Sequence, residues 1–368
     1  MLACIGVNYR NAGADVRDHV VFTPESAASF RERLASLGVA QSLVLSTCNR
    51  CEVFVWGGNT DFLCCREEFI REFPAARCGN VLGVRTGADA LTYLFRIAAG
   101  LESMVLGEYQ ILGQVKDAHA ASLASGHAGK ALDRILRDAV TAAKRVKTEL
   151  DIGAVPPSVC KAGMEHVDRI AGIAGKRVFV IGSGRTGTLA AKLAKRRGAQ
   201  SIAVCNRSPE RARKLVEEIG ATVVDYAERS AAIAESDIVV SATASPHVVV
   251  RADQLNLSHP VVFLDLASPR DVEPSVAANP LVTLVSIDTI GELAAGDRLE
   301  RDRLTAKGMS IIAGAVRETT AWLDSVGAAK VVGWGRAIPT SPVLTPELAI
   351  GQPGQVARFE FSKRTKKN

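Results

Sequence analysis

Gly182-Ser183-Gly184-Arg185-Thr186-Gly187 follows an apolar run at 178–181 and leads into a helical pattern at 188–197. A G-x-G-x-x-G match is weak alone and strong in this strand, turn and helix setting. Gly182 permits the tight turn, Gly184 lets the backbone approach a pyrophosphate, and Gly187 lets the helix pack closely. The helix N-terminus attracts the phosphate charge. The plainer alternative is a glycine-rich turn without a ligand. From Lys176 onward, short β-branched runs at 178–181, 202–205, 222–224, 238–241 and 261–266 alternate with helical stretches. Continuous apolar strands between helices indicate a buried parallel sheet, so this part of the chain reads as an α/β, Rossmann-type dinucleotide-binding domain.

The end of the second strand bears on which dinucleotide fits. An NAD site places Asp or Glu there to hold the ribose hydroxyls. This chain has Asn206-Arg207-Ser208, with Arg211 one turn further on. The acid is missing and an arginine able to grip a 2′-phosphate is present, which favours NADPH over NADH. A solvated surface arginine is the alternative.

Upstream, strand-like and helix-like runs alternate at 4–7, 24–37, 42–45 and 52–56, the pattern of an α+β or α/β unit. Helical periodicity dominates 87–150, and Pro156-Pro157 marks a boundary with Ser158 placed to cap the next helix. After Gly291 the pattern is one long helix to about Ser325, and beyond Gly327 it turns rich in Gly and Pro. The expected division is 1–153 as a catalytic, substrate-binding domain, 154–290 as the cofactor domain, 291–326 as the long helix and 327–368 as a flexible basic tail. At 368 residues, two domains with appendages is the ordinary expectation. The N-terminus lacks a signal-peptide pattern, no window has the apolar length of a membrane span, and apart from Cys48, Cys51 and the adjacent Cys64-Cys65 the cysteines fall singly along the chain. These features point to a reducing cytoplasm. The net charge of +6 permits a polyanionic partner, but much of it lies in Lys363-Arg364-Thr365-Lys366-Lys367, which reads as a solvated tail.

Ser46-Thr47-Cys48-Asn49-Arg50-Cys51-Glu52 closes the apolar run Leu43-Val44-Leu45. Three readings compete for Cys48. It is a small core residue, as cysteines often are. It pairs with Cys51 as a C-x-x-C dithiol or half a zinc site, for which a second pair at similar spacing is missing, so no metal is expected. Or it is a lone nucleophile kept reactive by hydroxyl, amide and cationic neighbours.

Joined with a cofactor domain, a nucleophilic cysteine suggests acyl capture as a thioester and reduction to an aldehyde. Residues 46–52, the run from Leu94 through Gly100-Leu101-Glu102-Ser103-Met104 to Lys116, and Asp265-Leu266-Ala267-Ser268-Pro269-Arg270-Asp271 together resemble the glutamyl-tRNA reductase family of tetrapyrrole biosynthesis. The likeness covers about the first 325 residues. It implies that Cys48 attacks the aminoacyl ester, that Thr47, Asn49 and Arg50 hold the glutamyl group with Arg50 on its γ-carboxylate, and that Ser103, Glu108, Tyr109, Gln110 and Gln114 complete the pocket. It further implies NADPH on Gly182, Ser183, Gly184, Arg185, Thr186 and Gly187, glutamyl-tRNA(Glu) as substrate, a downstream aminomutase as partner, and a homodimer. Three positions depart from the family pattern. Tyr93 stands where the family has a histidine assisting proton handling at the thiol, and a phenol with a pKa of about 10 is a poor base at neutral pH. Cys51 replaces a common threonine and would be able to trap Cys48 as a disulfide under oxidation. The stretch after the long helix lacks the family's helical dimerisation region. The alternatives to a reductase are a relative redirected to another acyl donor and a non-catalytic regulator that binds NADPH or tRNA.

Overall fold

The first strand, β1 (Leu2–Asn8), is buried along its whole length because it is the inner strand of an antiparallel sheet. The computed structural model describes residues 1–77, 81–105, 110–150, 159–294 and 298–327, all within one compact unit, Met1–Trp334. After β1 come a short helix α1 (Ala14–Arg17) and α2 (Pro24–Ser36), which starts at a Thr23 and Ser26 capping box with Pro24 in its first turn. The hairpin β2 (Ser42–Thr47) and β3 (Arg50–Trp56) is followed by α3 (Asn59–Glu72) and the edge strand β4 (Gly83–Thr86). The strand order is β2-β3-β1-β4, with antiparallel pairing throughout, so the N-terminal half is α+β.

One face of this sheet is covered by α4 (Gly87–Ala98), α5 (Gln110–Ala124) and α6 (Lys130–Leu150). On the other, Phe22, Phe30, Phe69 and Phe73 stack in tilted and edge-on pairs. Burial on both faces explains why β3 reads as an almost unbroken apolar run instead of alternating.

The second half opens with α7 (Val159–Ala171) and continues as β5 (Arg177–Ile181), α8 (Arg185–Arg196), β6 (Ser201–Cys205), α9 (Pro209–Ile219), β7 (Thr222–Val223), α10 (Arg229–Ala234), β8 (Ile238–Ser241), β9 (Val261–Asp265) and β10 (Val282–Ser286). The sheet is parallel in the order β7-β6-β5-β8-β9-β10, the 3-2-1-4-5-6 order of a doubly wound dinucleotide fold. The expected five strands are all present, and β10 is a sixth that the sequence reading did not anticipate.

The chain after β10 forms two described helices, α11 (Ile287–Ala294) and α12 (Arg298–Ser325), instead of one beginning at Gly291. Their packing differs: α11 lies on α7 of the cofactor half, whereas α12 returns to α4 and α6 of the N-terminal half. There Ile312 and Leu323 join the core, Thr319 Oγ1 donates to Asp138 Oδ2 at 2.9 Å, and the Arg134 guanidinium lies 5.1 Å from the Trp322 ring centre. The expected cap at Ser158 and the tail at 328–368 lie outside the described residues.

Candidate active site

Cys48 and Asn49 are the two turn residues of the β2/β3 hairpin, whose last register pair is Thr47 with Arg50. A two-residue turn projects its side chains beyond the sheet. Cys48 is half-buried and packs, with Tyr9, against the apolar cluster containing Met164, Leu264, Leu266 and Ile290 of the cofactor half. Asn49 is fixed by its own backbone: its N–H donates to Thr47 Oγ1 at 3.2 Å and its carbonyl accepts from Tyr9 N at 2.9 Å. Its side-chain Oδ1 is buried without a partner among the described residues. Cys51, next along β3, is buried, with its thiol against Ser46 and the Phe22 backbone, and burial pushes that thiol well above its usual range. Among the described residues no group of three or more His, Cys, Asp or Glu side chains is disposed to hold a metal.

Arg50 and Glu52 point to one face of β3 because strand side chains alternate. Arg50 Nη1 donates to Glu52 Oε2 (3.2 Å) and to the Tyr93 hydroxyl (3.0 Å), and Nη2 donates to the Glu102 carbonyl. The Tyr93 hydroxyl in turn donates to Glu52 Oε1 at 2.6 Å, while Asn8 Nδ2 donates to both at 3.0 Å. Burial and the neighbouring Glu52 carboxylate hold the phenol far above its usual pKa, so it stays neutral. Burial opposes the Arg50 charge, but Glu52 and Tyr93 outweigh it and keep the guanidinium protonated. Arg85 covers the Tyr93 ring at 4.2 Å. Tyr93, expected beside the thiol, is thus committed to the Arg50 and Glu52 pair.

A cavity of about 270 Å³ opens beside Cys48. Its far wall is the C-terminal end of the parallel sheet, with Asp265 of β9 and Ser286 of β10. Doubly wound sheets bind ligands at that end of their strands. Asp265 is buried and accepts from Ala267 N (3.0 Å) and Val272 N (2.9 Å), fixing the loop after β9. Burial and the nearby Asp271 push its carboxyl up to about 7.

The glycine loop is shaped for a ligand. Gly182 adopts φ +100°, and a Cβ there would lie 2.6 Å from the Ala242 carbonyl oxygen. A Cβ on Gly187 would lie 1.9 Å from the Gly182 oxygen, whereas one on Gly184 would meet nothing within 4 Å. Gly184 also starts α8 without a side-chain cap, and the Ser183 hydroxyl is buried without a partner among the described residues. Open space, unclaimed N–H groups and an unclaimed hydroxyl together fit a bound pyrophosphate. Arg185 is exposed and Thr186 half-buried in the first turn. Beyond β6, Asn206 Nδ2 donates to the Ser208 carbonyl at 3.0 Å, and Arg207 reaches Ser245 Oγ at 3.0 Å and the Tyr226 ring at 5.8 Å. The Arg211 side chain lies outside the described residues.

Comparison with known proteins gives this arrangement its family. Residues 5–150 match the model of the glutamyl-tRNAGlu reductase N-terminal domain, and residues 165–293 match that of shikimate/quinate 5-dehydrogenase. Glutamyl-tRNA reductase of Geobacillus kaustophilus is 33% identical over 346 residues, covering 90% of this chain and 76% of that protein. The chain belongs to the glutamyl-tRNA reductase family. The Marinobacter nauticus enzyme of the same name is 34% identical over 345 residues, spanning 90% of this chain and 79% of its own length. The solved glutamyl-tRNA reductase from Methanopyrus kandleri is 30% identical over 88% of this chain and 81% of its own, with a TM-score of 0.48.

The other site residues expected from the glutamyl-tRNA reductase resemblance are spread unevenly. Ser103 is buried, and its carbonyl accepts from the Tyr9 hydroxyl at 3.3 Å. Gln110 and Gln114 are half-buried on the first turns of α5, while Glu108 and Tyr109 lie outside the described residues. Sequence reasoning missed Asn8, Glu52 and Glu102. Glu102 is buried and paired with Arg10 (3.3 Å) and Arg96. A charged residue inside an apolar strand was the available signal for Glu52.

Proposed function

We propose that this chain is an NADPH-dependent reductase that converts glutamyl-tRNA(Glu) to glutamate-1-semialdehyde through a Cys48 thioester. The observation carrying this reading is Cys48 at a hairpin tip, against the cofactor half and beside a cavity at the C-terminal ends of β9 and β10. The thiolate attacks the aminoacyl ester carbonyl, the carbon–sulfur bond forms, and the tRNA terminal ribose leaves as its hydroxyl, taking a proton. When bound, NADPH would supply the hydride that turns the thioester carbonyl into an aldehyde, the carbon–sulfur bond breaking to return Cys48 to its thiolate. Gly182, Ser183, Gly184 and the first turn of α8 hold the pyrophosphate, and Arg207, with Arg211, meets the 2′-phosphate. Arg50 holds the γ-carboxylate, and Tyr93 orients Arg50 by hydrogen bonding. Asn49 Oδ1 offers an acceptor to the α-ammonium group, and Ser103, Gln110 and Gln114, with Glu108 and Tyr109, complete the pocket.

On this reading, residues 1–153 carry the acyl chemistry, 154–290 the cofactor, and 291–326 the long helical segment. The enzyme works in the cytoplasm and passes its aldehyde to an aminomutase. Among the described residues no helix is long and apolar enough to cross a membrane. The test is single-turnover NADPH oxidation with glutamyl-tRNA, set against other charged tRNAs and free glutamate. Cys48→Ser abolishes both thioester and aldehyde, because a hydroxyl without a strong base is a far weaker nucleophile, while Cys51→Ser retains activity. A parent chain that binds NADPH but never oxidises it with any charged tRNA makes the regulator the better reading.

A further inference from the structure

Two ion pairs of opposite polarity cross between the halves at the rim of the Cys48 cavity. Arg17, buried at the end of α1, donates from Nη2 to Asp288 Oδ1 at 2.6 Å, joining residues 271 positions apart. Asp288 lies in the first turn of α11, where a carboxylate also complements the helix dipole. In the opposite sense, Arg270 follows β9 and grips Asp18 with its Nε and, at 3.2 Å, with its backbone N–H. Arg270 Nη2 also reaches Asp15 at 2.6 Å. Arg17, Asp18, Arg270 and Asp288 all line the cavity that Cys48 lines.

Exposure separates these contacts by weight. Asp15 is 94% exposed and its pairing counts for little. The Arg17 side chain is 7% exposed and Asp18 15%, against 40% for Asp288 and 26% for Arg270, so each pair is partly withdrawn from water through its N-terminal member. On the reductase reading, acylation uses groups of the N-terminal half alone, whereas hydride transfer needs the two halves in register. A misplacement of about 1 Å between reacting groups costs roughly a hundredfold.

We propose that the Arg17–Asp288 and Asp18–Arg270 pairs form a two-point clasp that sets the cofactor half against Cys48, so that these positioning residues govern reduction of the thioester and not its formation. The proposal rests on the reductase reading above. With the clasp broken, the thioester forms and waits. Water then adds its oxygen to the acyl carbon, the carbon–sulfur bond breaks, the thiol regains a proton, and free glutamate leaves without NADPH being oxidised.

The experiment uses the full chain as parent, Arg270→Asp, Asp18→Arg, and the double swap of both, with Asp15→Ala as a control. Cys48 acylation is followed by labelled glutamate from glutamyl-tRNA without NADPH, reduction by single-turnover NADPH oxidation, and the disposition of the halves by small-angle X-ray scattering. Each single reversal is expected to keep acylation within about twofold, slow NADPH oxidation at least about tenfold, raise released glutamate and expand the particle. The double swap restores coupling, and Asp15→Ala matches the parent. Acylation and oxidation falling in parallel, or an unrescued double swap, overturns the clasp in favour of a structural role. Scattering unchanged by either reversal overturns it whatever the activities. A parent that never labels Cys48 overturns the reductase reading, and the clasp's catalytic role with it.

Discussion

Arg50 is surrounded before any substrate arrives: Glu52, Tyr93 and the Glu102 carbonyl all accept from its guanidinium. Such a network fixes the orientation of the charge, and each buried member depends on the others. Tyr93→Phe removes one hydroxyl and leaves Asn8, Arg50 and Glu52 each short of a partner. The expected cost is about 1–3 kcal/mol of stability together with slower labelling of Cys48. Because the phenol stays neutral, the pH profile of labelling keeps its shape in the variant. Urea unfolding and a labelling profile from pH 6 to 9 measure both, and a profile that moves would make Tyr93 a proton-transfer group instead. Thr47, Cys48, Asn49 and Arg50 were legible in the sequence because a single turn carries them all. Asn8, Glu52 and Glu102 were not, since they come from two strands and a turn: Glu52 stood out only as a charge in an apolar strand, with nothing to say what it pairs with, and Asn8 and Glu102 look like ordinary solvated residues.

The loop between β5 and α8 separates two uses of glycine that the sequence pattern merges. Gly187→Ala drives a Cβ into the Gly182 carbonyl, so it destabilises the fold and abolishes NADPH binding together. Gly184→Ala meets no protein atom, so its thermal midpoint stays near the parent's while NADPH affinity falls. Thermal unfolding and NADPH fluorescence titration distinguish the pair, and equal destabilisation would mean that Gly184 serves packing. At the end of β9, Asp265 titrates near 7, above the ordinary carboxyl value. The folded state therefore binds a proton that the unfolded state has released, a stabilisation complete below about pH 4 and lost as pH rises through about 7. Asp271 is raised too, by burial, and acts in the same direction. Asp265→Asn should flatten the decline in urea midpoint between pH 5 and pH 8, and an unchanged slope would remove Asp265 as its source. The glycine loop and five strands were readable from continuous β-branched runs between helices. β10 escaped because it is a partly exposed edge strand, and α11 escaped because apolar periodicity runs on past Ala294 into α12.

The path of the chain ties the two halves together twice, once through the contacts around Cys48 and once through α12. That helix follows the cofactor half in sequence yet contributes Ile312 and Leu323 to the N-terminal core. The sequence offered one long helical pattern to about Ser325 but not its destination, because periodicity says that a face is buried and not against what. Two consequences separate an integral helix from a passive linker. Ile312 is fully buried, so Ile312→Ala should cost about 2–5 kcal/mol from lost contacts and the cavity left behind. The loss should fall on the half that holds Cys48, because Ile312 belongs to the cluster of α4, α5 and α6 and not to that of the parallel sheet. Hydrogen exchange read by mass spectrometry locates it: protection should drop in α4, α6 and β1 while β5, β8 and β9 exchange as in the parent, with NADPH affinity retained. Equal loss in both halves would mean that they unfold as one cooperative body. Loss confined to α12 itself would mean that the helix only rests on the N-terminal core.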